Sequence, residues 1–229
     1  MASPMSTRSM DEGDSKAGGA SGILSGILFI LAFAVAYNFP ASSSQADATL
    51  AGFSSMQNSL FAASILIGLV VLFAIPFYLS LRNAFGGKAD LAVRTGTIFS
   101  SVGIIITAVT IIGEVVALAI LKDAYAQAGP SRTAAVVVAQ VAIGLGTDPV
   151  GTTLLGAGLA AYGFAMVRSS RFPHWLGYVG IVGGILLALG FLPIPGLFAL
   201  FYGAFILLLL WIFATGAYLW RSRVSKPAA

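Results

Sequence analysis

The sequence predicts an all-α, polytopic membrane protein, and two observations lead to this prediction. Hydrophobic residues make up 58% of the 229 residues and charged residues only 9%, whereas a soluble domain carries about 25% charged residues. The apolar residues are grouped into six long segments, and the lysines and arginines lie in short clusters beside them. This polar surface is too small to cover a globule in water, so we expect one bundle of six transmembrane helices.

Each of the six segments is long enough to cross a bilayer. A spanning helix needs about 20 mostly apolar residues, because each residue adds 1.5 Å across roughly 30 Å of hydrocarbon. The segments are residues 21–39, 60–81, 97–121, 150–167, 175–192 and 196–220. They define a transmembrane domain over residues 21–220. Residues 1–20 form a polar, Gly/Ser-rich tail that we expect to be disordered, and residues 221–229 form a short basic tail.

The distribution of lysine and arginine predicts the orientation. Two basic residues, Lys122 and Arg132, fall on one side of the predicted membrane. Ten fall on the other side: Arg8, Lys16, Arg82, Lys88, Arg94, Arg168, Arg171, Arg221, Arg223 and Lys226. Cytoplasmic loops carry the excess of positive charge. We therefore expect both termini in the cytoplasm and the protein in a bacterial inner membrane.

Residues 134–146 form a further apolar segment, which is too short to span the bilayer at 13 residues. We expect a short interfacial or re-entrant helix on the extracytoplasmic side, before the fourth span. Asp148 and Pro149 then have the residue types of a helix N-cap and a first helical residue, so the fourth span should begin at Pro149.

An alternative for the first apolar segment is a cleaved signal peptide. Residues 46–48, Ala-Asp-Ala, have the small-residue pattern of a signal-peptidase site. However, the preceding apolar segment is long for a signal peptide, and its leader contains Asp11, Glu12 and Asp14. We therefore expect the first segment to remain as a transmembrane helix.

Glu114 is the only formal charge inside any of the six segments. A charge at membrane depth costs at least a few kcal/mol, so such a residue is a candidate for function. Ser100, Gly103, Thr107 and Thr110 precede it at intervals of three or four residues, which places all five residues on one face of a helix. The opposite face is Ile, Val and Leu. We expect Glu114 to face the bundle in its extracytoplasmic half.

Other polar residues are predicted near the same depth on neighbouring spans, among them Tyr37, Thr153 and Ser64. The candidate ligand- or ion-binding residues are Glu114, Thr110, Thr107, Asn38, Thr152 and Tyr202. Together they predict a polar pocket, open to the outside, in which Glu114 carries a proton, holds a cation or accepts hydrogen bonds from a ligand. Two structural alternatives remain open. Glu114 could hydrogen-bond between helices, or it could pair with Lys122 or Arg132.

The composition argues against several classes of function. The chain has no cysteine and a single histidine, His174, so thiolate metal sites and bis-histidine haem cannot be built within it. No histidine lies in a span to activate a serine, and no catalytic residue, metal site or cofactor is predicted. His174 lies at a predicted interface and is expected to be solvated. The basic clusters do not form a stripe with stacking aromatic residues, so no nucleic acid is expected as a partner.

Residues 168–177, Arg-Ser-Ser-Arg-Phe-Pro-His-Trp-Leu-Gly, follow Tyr162-Gly163 and precede Gly180 and Gly183. This pattern resembles a signature of an uncharacterised family of six-span bacterial membrane proteins, grouped under a domain of unknown function. The resemblance extends over most of residues 20–220, although family members commonly have a basic residue where this chain has His174. It implies a fold and no activity, so it assigns no site residue.

Two functions compete on these observations. The first is a small carrier or channel-like protein that binds a proton, cation or small ligand at Glu114. The alternative is a structural or accessory subunit that packs against a membrane-protein partner or a second copy, with Glu114 as an interhelical hydrogen bond. An enzyme ranks third. Transporters often contain internal repeats, and residues 20–121 and 134–220 show no convincing repeat.

Overall fold

The computed structural model describes residues 12–36, 45–86, 90–146, 149–189 and 197–221. These residues form seven helices and no strand: α1 Glu12–Ala36, α2 Ala46–Ala84, α3 Leu91–Tyr125, α4 Pro130–Gly146, α5 Pro149–Arg168, α6 His174–Leu189 and α7 Leu197–Arg221. Five stretches among them are long and apolar enough to cross a membrane, and one of these joins α4 and α5; α6 is a shorter apolar helix. The predicted all-α, polytopic membrane protein is confirmed.

Six of the described helices form a ring. Going around it, α1 packs against α2, α2 against α3, α3 against α5, α5 against α6, α6 against α7, and α7 against α1. An inner core fills the ring, and its largest fully buried side chains include Trp211, Tyr162 and Phe77. The remaining helix, α4, packs on α3 and α2.

The two ends of the ring differ in charge and in length. Because successive spans alternate in direction, Arg82, Arg94, Arg168, Arg171 and Arg221 lie at one end, which we call the basic end. Helices α2 and α3 contain 39 and 35 residues and are therefore about 58 and 52 Å long, well beyond the roughly 30 Å of a hydrocarbon core. Their extra length reaches the opposite end, which we call the α4 end.

A second, outer core lies at the α4 end. Three helices contribute its buried residues: Ala46, Leu50, Phe53 and Leu60 of α2, Val115 and Leu118 of α3, and Ala135, Ala139 and Ile143 of α4. The α4 residues recur every four positions, so they share one face of the helix. Its other face exposes Val137, Val138, Val141 and Leu145 by half or more. Helix α4 is therefore a cover over the outer parts of α2 and α3.

Helix α4 begins four residues before the predicted apolar segment. Gly129 adopts a left-handed φ of +82° immediately before Pro130. Arg132 then forms a 3.1 Å ion pair with Asp47 of α2 and donates a 2.8 Å hydrogen bond to the hydroxyl of Tyr125 of α3. The hydrogen bond to Asp47 raises the pKa of the Arg132 guanidinium. The described part of helix α5 begins at Pro149, and Asp148, the predicted N-cap, lies outside the described residues.

The start of α1 differs from the expected disordered tail. The helix begins at Glu12, and the fully buried Ser15 donates a 2.8 Å hydrogen bond to the carbonyl of Leu219. A Cβ on Gly19 would lie 2.6 Å from the carbonyl oxygen of Gly216, so α1 and α7 approach at a distance that only glycine permits. Small residues in this segment lower its hydropathy but allow close packing. Residues 1–11 and 222–229 lie outside the described residues.

Candidate functional site

Glu114 lies between the two cores. On α3, Ala108 belongs to the inner core and Val115 to the outer core. The Glu114 side chain is 9% exposed, and its Oε1 atom is buried with no hydrogen-bond partner in the described part of the chain. An unpaired buried polar atom is rare in native proteins, and a bound water or ion is one of its explanations; among the described residues, Ser100, Trp211 and Thr215 each have one as well.

Two sets of hydrogen bonds determine the register of α2 against α3. Toward the α4 end, Nζ of Lys122 on α3 donates to Oε1 of Gln57 on α2 at 2.8 Å. Toward the basic end, the hydroxyl of Tyr162 lies 2.8 Å from Oγ1 of Thr97 on α3 and donates to the carbonyl of Tyr78 on α2 at 2.9 Å. The two helices therefore run antiparallel with matched residues at both ends.

This register places Ser64 of α2 within about one helical turn of the level of Glu114. Ser64 is 7% exposed, and its Oγ donates a 2.9 Å hydrogen bond to the carbonyl of Leu60. Because its proton is used within α2, the Ser64 oxygen remains an acceptor. A buried acceptor and a buried carboxyl group thus lie on adjacent helices at the same depth.

Thr107 and Thr110 share the α3 segment that leads to Glu114. The hydroxyl of Thr110 lies 3.1 Å from the carbonyl of Ile106 and 3.0 Å from that of Thr107, and it donates to this pair. Its proton is therefore also directed to the backbone, one turn from Glu114. Both threonines are partly buried, so they extend the polar face of α3 toward the inner core.

The structure does not bring all predicted site residues to Glu114. A Cβ on Gly103 would lie 2.5 Å from the nitrogen of Leu155 and 2.7 Å from the carbonyl of Gly151, so the buried Thr152 lies at the level of Gly103. Glu114 is eleven residues further along α3, or about 16 Å. Asn38 lies outside the described residues. Tyr202 belongs to α7, but its side chain is also outside them.

The two salt-bridge alternatives for Glu114 are not observed. Lys122 is directed to the amide oxygen of Gln57, and Arg132 pairs with Asp47. Both bases lie further toward the α4 end than Glu114 does. No group of three or more histidine or acidic residues able to hold a metal ion occurs among the residues the structure describes.

A hydrogen-bonded aromatic cluster at the basic end was not anticipated from the sequence. Tyr162 is fully buried, and its ring stacks on Tyr78 with centroids 6.1 Å apart and an interplanar angle of 15°. Its hydroxyl joins Tyr78 of α2 and Thr97 of α3, so it ties three helices together. The available signal was weak, because one tyrosine in an apolar span does not indicate its partners.

The turn that carries the family resemblance packs on two other helices. Nη1 of Arg171 donates a 2.9 Å hydrogen bond to the carbonyl of Ala84 at the end of α2. The Tyr218 hydroxyl of α7 donates to the carbonyl of Arg171. Phe172 is buried, with its ring 4.8 Å from that of Phe85. This motif therefore positions the basic ends of α2, α5, α6 and α7.

Two cavities lie at the basic end. One has a volume of about 340 Å³ and is lined by Arg82, Arg94, Thr97 and Ile98. The other, of about 550 Å³, lies between α1 and α7 and is lined by Ala20, Ile23, Leu24, Ile27, Ala217, Trp220 and Arg221. Glu114 lines neither of them.

Comparison with known proteins identifies the family. The family described as Domain of unknown function (DUF4386) matches residues 18–221, so the chain belongs to it. No curated protein and no solved structure matches the chain. The match confirms the resemblance found in residues 162–183, and it implies no activity.

Proposed function

We propose that this member of the family is a small carrier or channel-like membrane protein that binds a proton or a small monovalent cation at Glu114. The observation that carries the proposal is the buried Oε1 atom of Glu114, which lacks a hydrogen-bond partner among the described residues. Leaving a buried polar group unpaired costs about 1–3 kcal/mol, and more when the group is charged. A bound proton or cation neutralises the carboxylate and removes most of that cost.

The proposed function requires that the helices be placed in the membrane as follows. All six helices of the ring cross the membrane, and α4 lies in the interface or re-enters at its own end. The described part of α6, 16 residues, is about 24 Å long, and helices shorter than the hydrocarbon core can still cross it. The arginines gathered at the basic end support a cytoplasmic location for that end. The protein then lies in a bacterial inner membrane, with Glu114 in the outer half.

The chemistry available at Glu114 favours a cation over an anion. The oxygens of Ser64 and Thr110 act as acceptors, since their protons are directed to backbone carbonyls. A protonated Glu114 can donate to such an oxygen, and an ionised Glu114 can share a cation with it. Oxygen ligands suit hard cations.

The proposal is tested by labelling with dicyclohexylcarbodiimide, an apolar reagent that modifies protonated carboxyl groups within membranes. Asp123 provides the matched control, because it is an exposed carboxylate on the same helix. We expect a labelled Glu114 in the wild type and in Asp123→Asn, no label in Glu114→Gln, and slower labelling as Na⁺ or K⁺ replaces choline. Thermal unfolding of each variant shows whether it is folded. A labelling rate that depends on neither pH nor the cation present would contradict the proposal.

A second candidate function, an accessory subunit, is favoured by the outward face of α4. Val137, Val138, Val141 and Leu145 are 51–63% exposed, and their face meets either lipid or the helix of a partner. Substituting Val141 by Ser weakens a protein partner or a second copy on this face, whereas the matched change Val109→Ser on the exposed face of α3 should not. Chemical cross-linking in native membranes distinguishes the two candidates.

A further inference from the structure

A cavity of about 340 Å³ lies between the basic ends of α2 and α3. Its lining carries positive charge, so it cannot serve the proposed cation site. Two arginines, Arg82 and Arg94, line it together with Thr97 and Ile98. Its volume is within the range of small-ligand sites, roughly 300–1,000 Å³. It lies at the opposite end of α3 from Glu114, so it would be a separate site.

Neither arginine is neutralised within the part of the chain that the structure describes. Arg82 lies in the last turn of α2, and Arg94 lies in the fourth position of α3. Neither guanidinium forms an ion pair with a carboxylate in the described ranges, and Asp90, the acidic residue nearest to Arg94 along the chain, does not cap α3 through its side chain. Two unpaired guanidinium groups around one cavity match an anion with several oxygens, because each presents a planar fork of N–H donors.

Thr97, which lines the cavity, is hydrogen-bonded to other groups of the protein. Oγ1 of Thr97 lies 2.8 Å from the carbonyl of Val93 and 2.8 Å from the hydroxyl of Tyr162. The Tyr162 proton is in turn donated to the carbonyl of Tyr78. The hydroxyl protons are therefore used within the protein, so an anion in the cavity depends on the arginines for its hydrogen bonds.

The side wall of the cavity is apolar and open. Ile98 is 58% exposed, and Val102 and Ile105, on the same helix, are 41% and 40% exposed. They form an apolar strip that runs along α3 from the cavity toward the middle of the membrane. A ligand that fits both features has an anionic head and a hydrocarbon chain.

We infer that this cavity binds the phosphate group of an anionic phospholipid, with Arg82 and Arg94 on its oxygens and an acyl chain along the Ile98 strip. Basic pockets between transmembrane helices at headgroup depth are suited to anionic lipids. Long arginine side chains in such positions reach from an apolar surface toward the interface. A bound headgroup bridges the ends of α2 and α3 and stabilises this helix pair.

Native mass spectrometry of the purified full chain in detergent tests the inference, with dioleoylphosphatidylglycerol and dioleoylphosphatidylcholine as probes. The wild type should bind dioleoylphosphatidylglycerol, the anionic lipid, more tightly than dioleoylphosphatidylcholine. Arg82→Gln and Arg94→Gln should each weaken that binding by about fivefold, and the double variant by roughly 25-fold. Arg168→Gln is the matched control, because its guanidinium lies 5.2 Å over the ring of Phe164 at the same end, outside the cavity. It should keep the preference.

A double lysine variant separates charge from folding. Replacing Arg82 and Arg94 by Lys keeps both charges, so it should recover most of the affinity that the double Gln variant loses. The inference is overturned if the double Gln variant keeps the lipid preference, or if Arg168→Gln loses as much. It is also overturned if inorganic phosphate displaces the lipid, since the site would then serve a soluble anion.

Discussion

Replacing Gly163 by Ala should destabilise the packing of α5 on α6. A Cβ at this position would lie 2.5 Å from the carbonyl oxygen of Gly177, 2.6 Å from the nitrogen of Ile181 and 2.9 Å from the carbonyl carbon of Gly180. All three are backbone atoms, so no side chain can rotate away. Ordinary contact begins at 3.4 Å, so α6 must move by about 0.9 Å at its closest point.

The magnitude follows from comparison with a matched glycine. Adding a methyl group to a tightly packed core costs about 1–3 kcal/mol, while Gly→Ala within a helix contributes about 0.5–1 kcal/mol in favour of folding. Gly68 of α2 is exposed and has nothing within 4 Å of a Cβ, so Gly68→Ala retains the favourable term alone. Because the backbone term is common to both variants, their unfolding free energies should differ by about 1–3 kcal/mol.

Equilibrium unfolding in mixed micelles of a mild detergent and sodium dodecyl sulfate measures this difference. Trp211 is fully buried and its indole nitrogen lies 2.9 Å from a Cβ built on Gly180, so tryptophan fluorescence should respond to separation of α6. If Gly163→Ala unfolds at the same midpoint as Gly68→Ala, the close contact between α5 and α6 is not formed as described.

Three further substitutions test the remaining contacts. Tyr162→Phe removes a hydrogen bond between helices and should lower the unfolding free energy by about 1 kcal/mol, whereas Tyr178→Phe, at an exposed tyrosine, should have no effect in the same assay. Arg171→Gln should accelerate amide hydrogen exchange in residues 169–172 because its bond to Ala84 is lost; unchanged exchange would argue against that contact. Arg132→Gln removes an exposed ion pair with Asp47 and an exposed hydrogen bond to Tyr125, and exposed pairs contribute little, so the unfolding midpoint should move little at either low or high salt.

For Glu114, the spacing of polar residues in the sequence predicts part of the environment but not all of it. The three-and-four spacing of polar residues predicted one face of α3, and the structure buries Glu114 on that helix. The same reasoning could not identify the neighbour across the helix pair. Ser64 reaches the depth of Glu114 because of the register set by Lys122 and Gln57. Thr152 of α5 lies instead at the level of Gly103, which is about 16 Å from Glu114 along α3. A difference of a few residues in register moves a side chain by one or two turns.

The helix ends illustrate a second limit. Spans were predicted from continuous apolar runs, so α2 was expected over residues 60–81, but the helix extends from Ala46 to Ala84. Its first turns are polar on one side and pack Leu50 and Phe53 into the outer core on the other. Likewise, residues 12–20 have few large apolar side chains, yet Gly18 and Gly19 pack closely on α2 and α7. High hydropathy identifies segments that contact lipid. Helices can also pack against each other through small residues of low hydropathy.

The sequence by itself determined the class of protein, the helical content and the exceptional position of Glu114. These follow from composition and from the 3.6-residue period, both of which are local properties of the chain. Only the tertiary structure decided the order of helices in the ring, the covering of α2 and α3 by α4, and the placement of Arg82 and Arg94 on the lining of one cavity. Those arrangements depend on contacts between distant segments. A glycine or an arginine allows such a contact, but its residue type does not specify the partner.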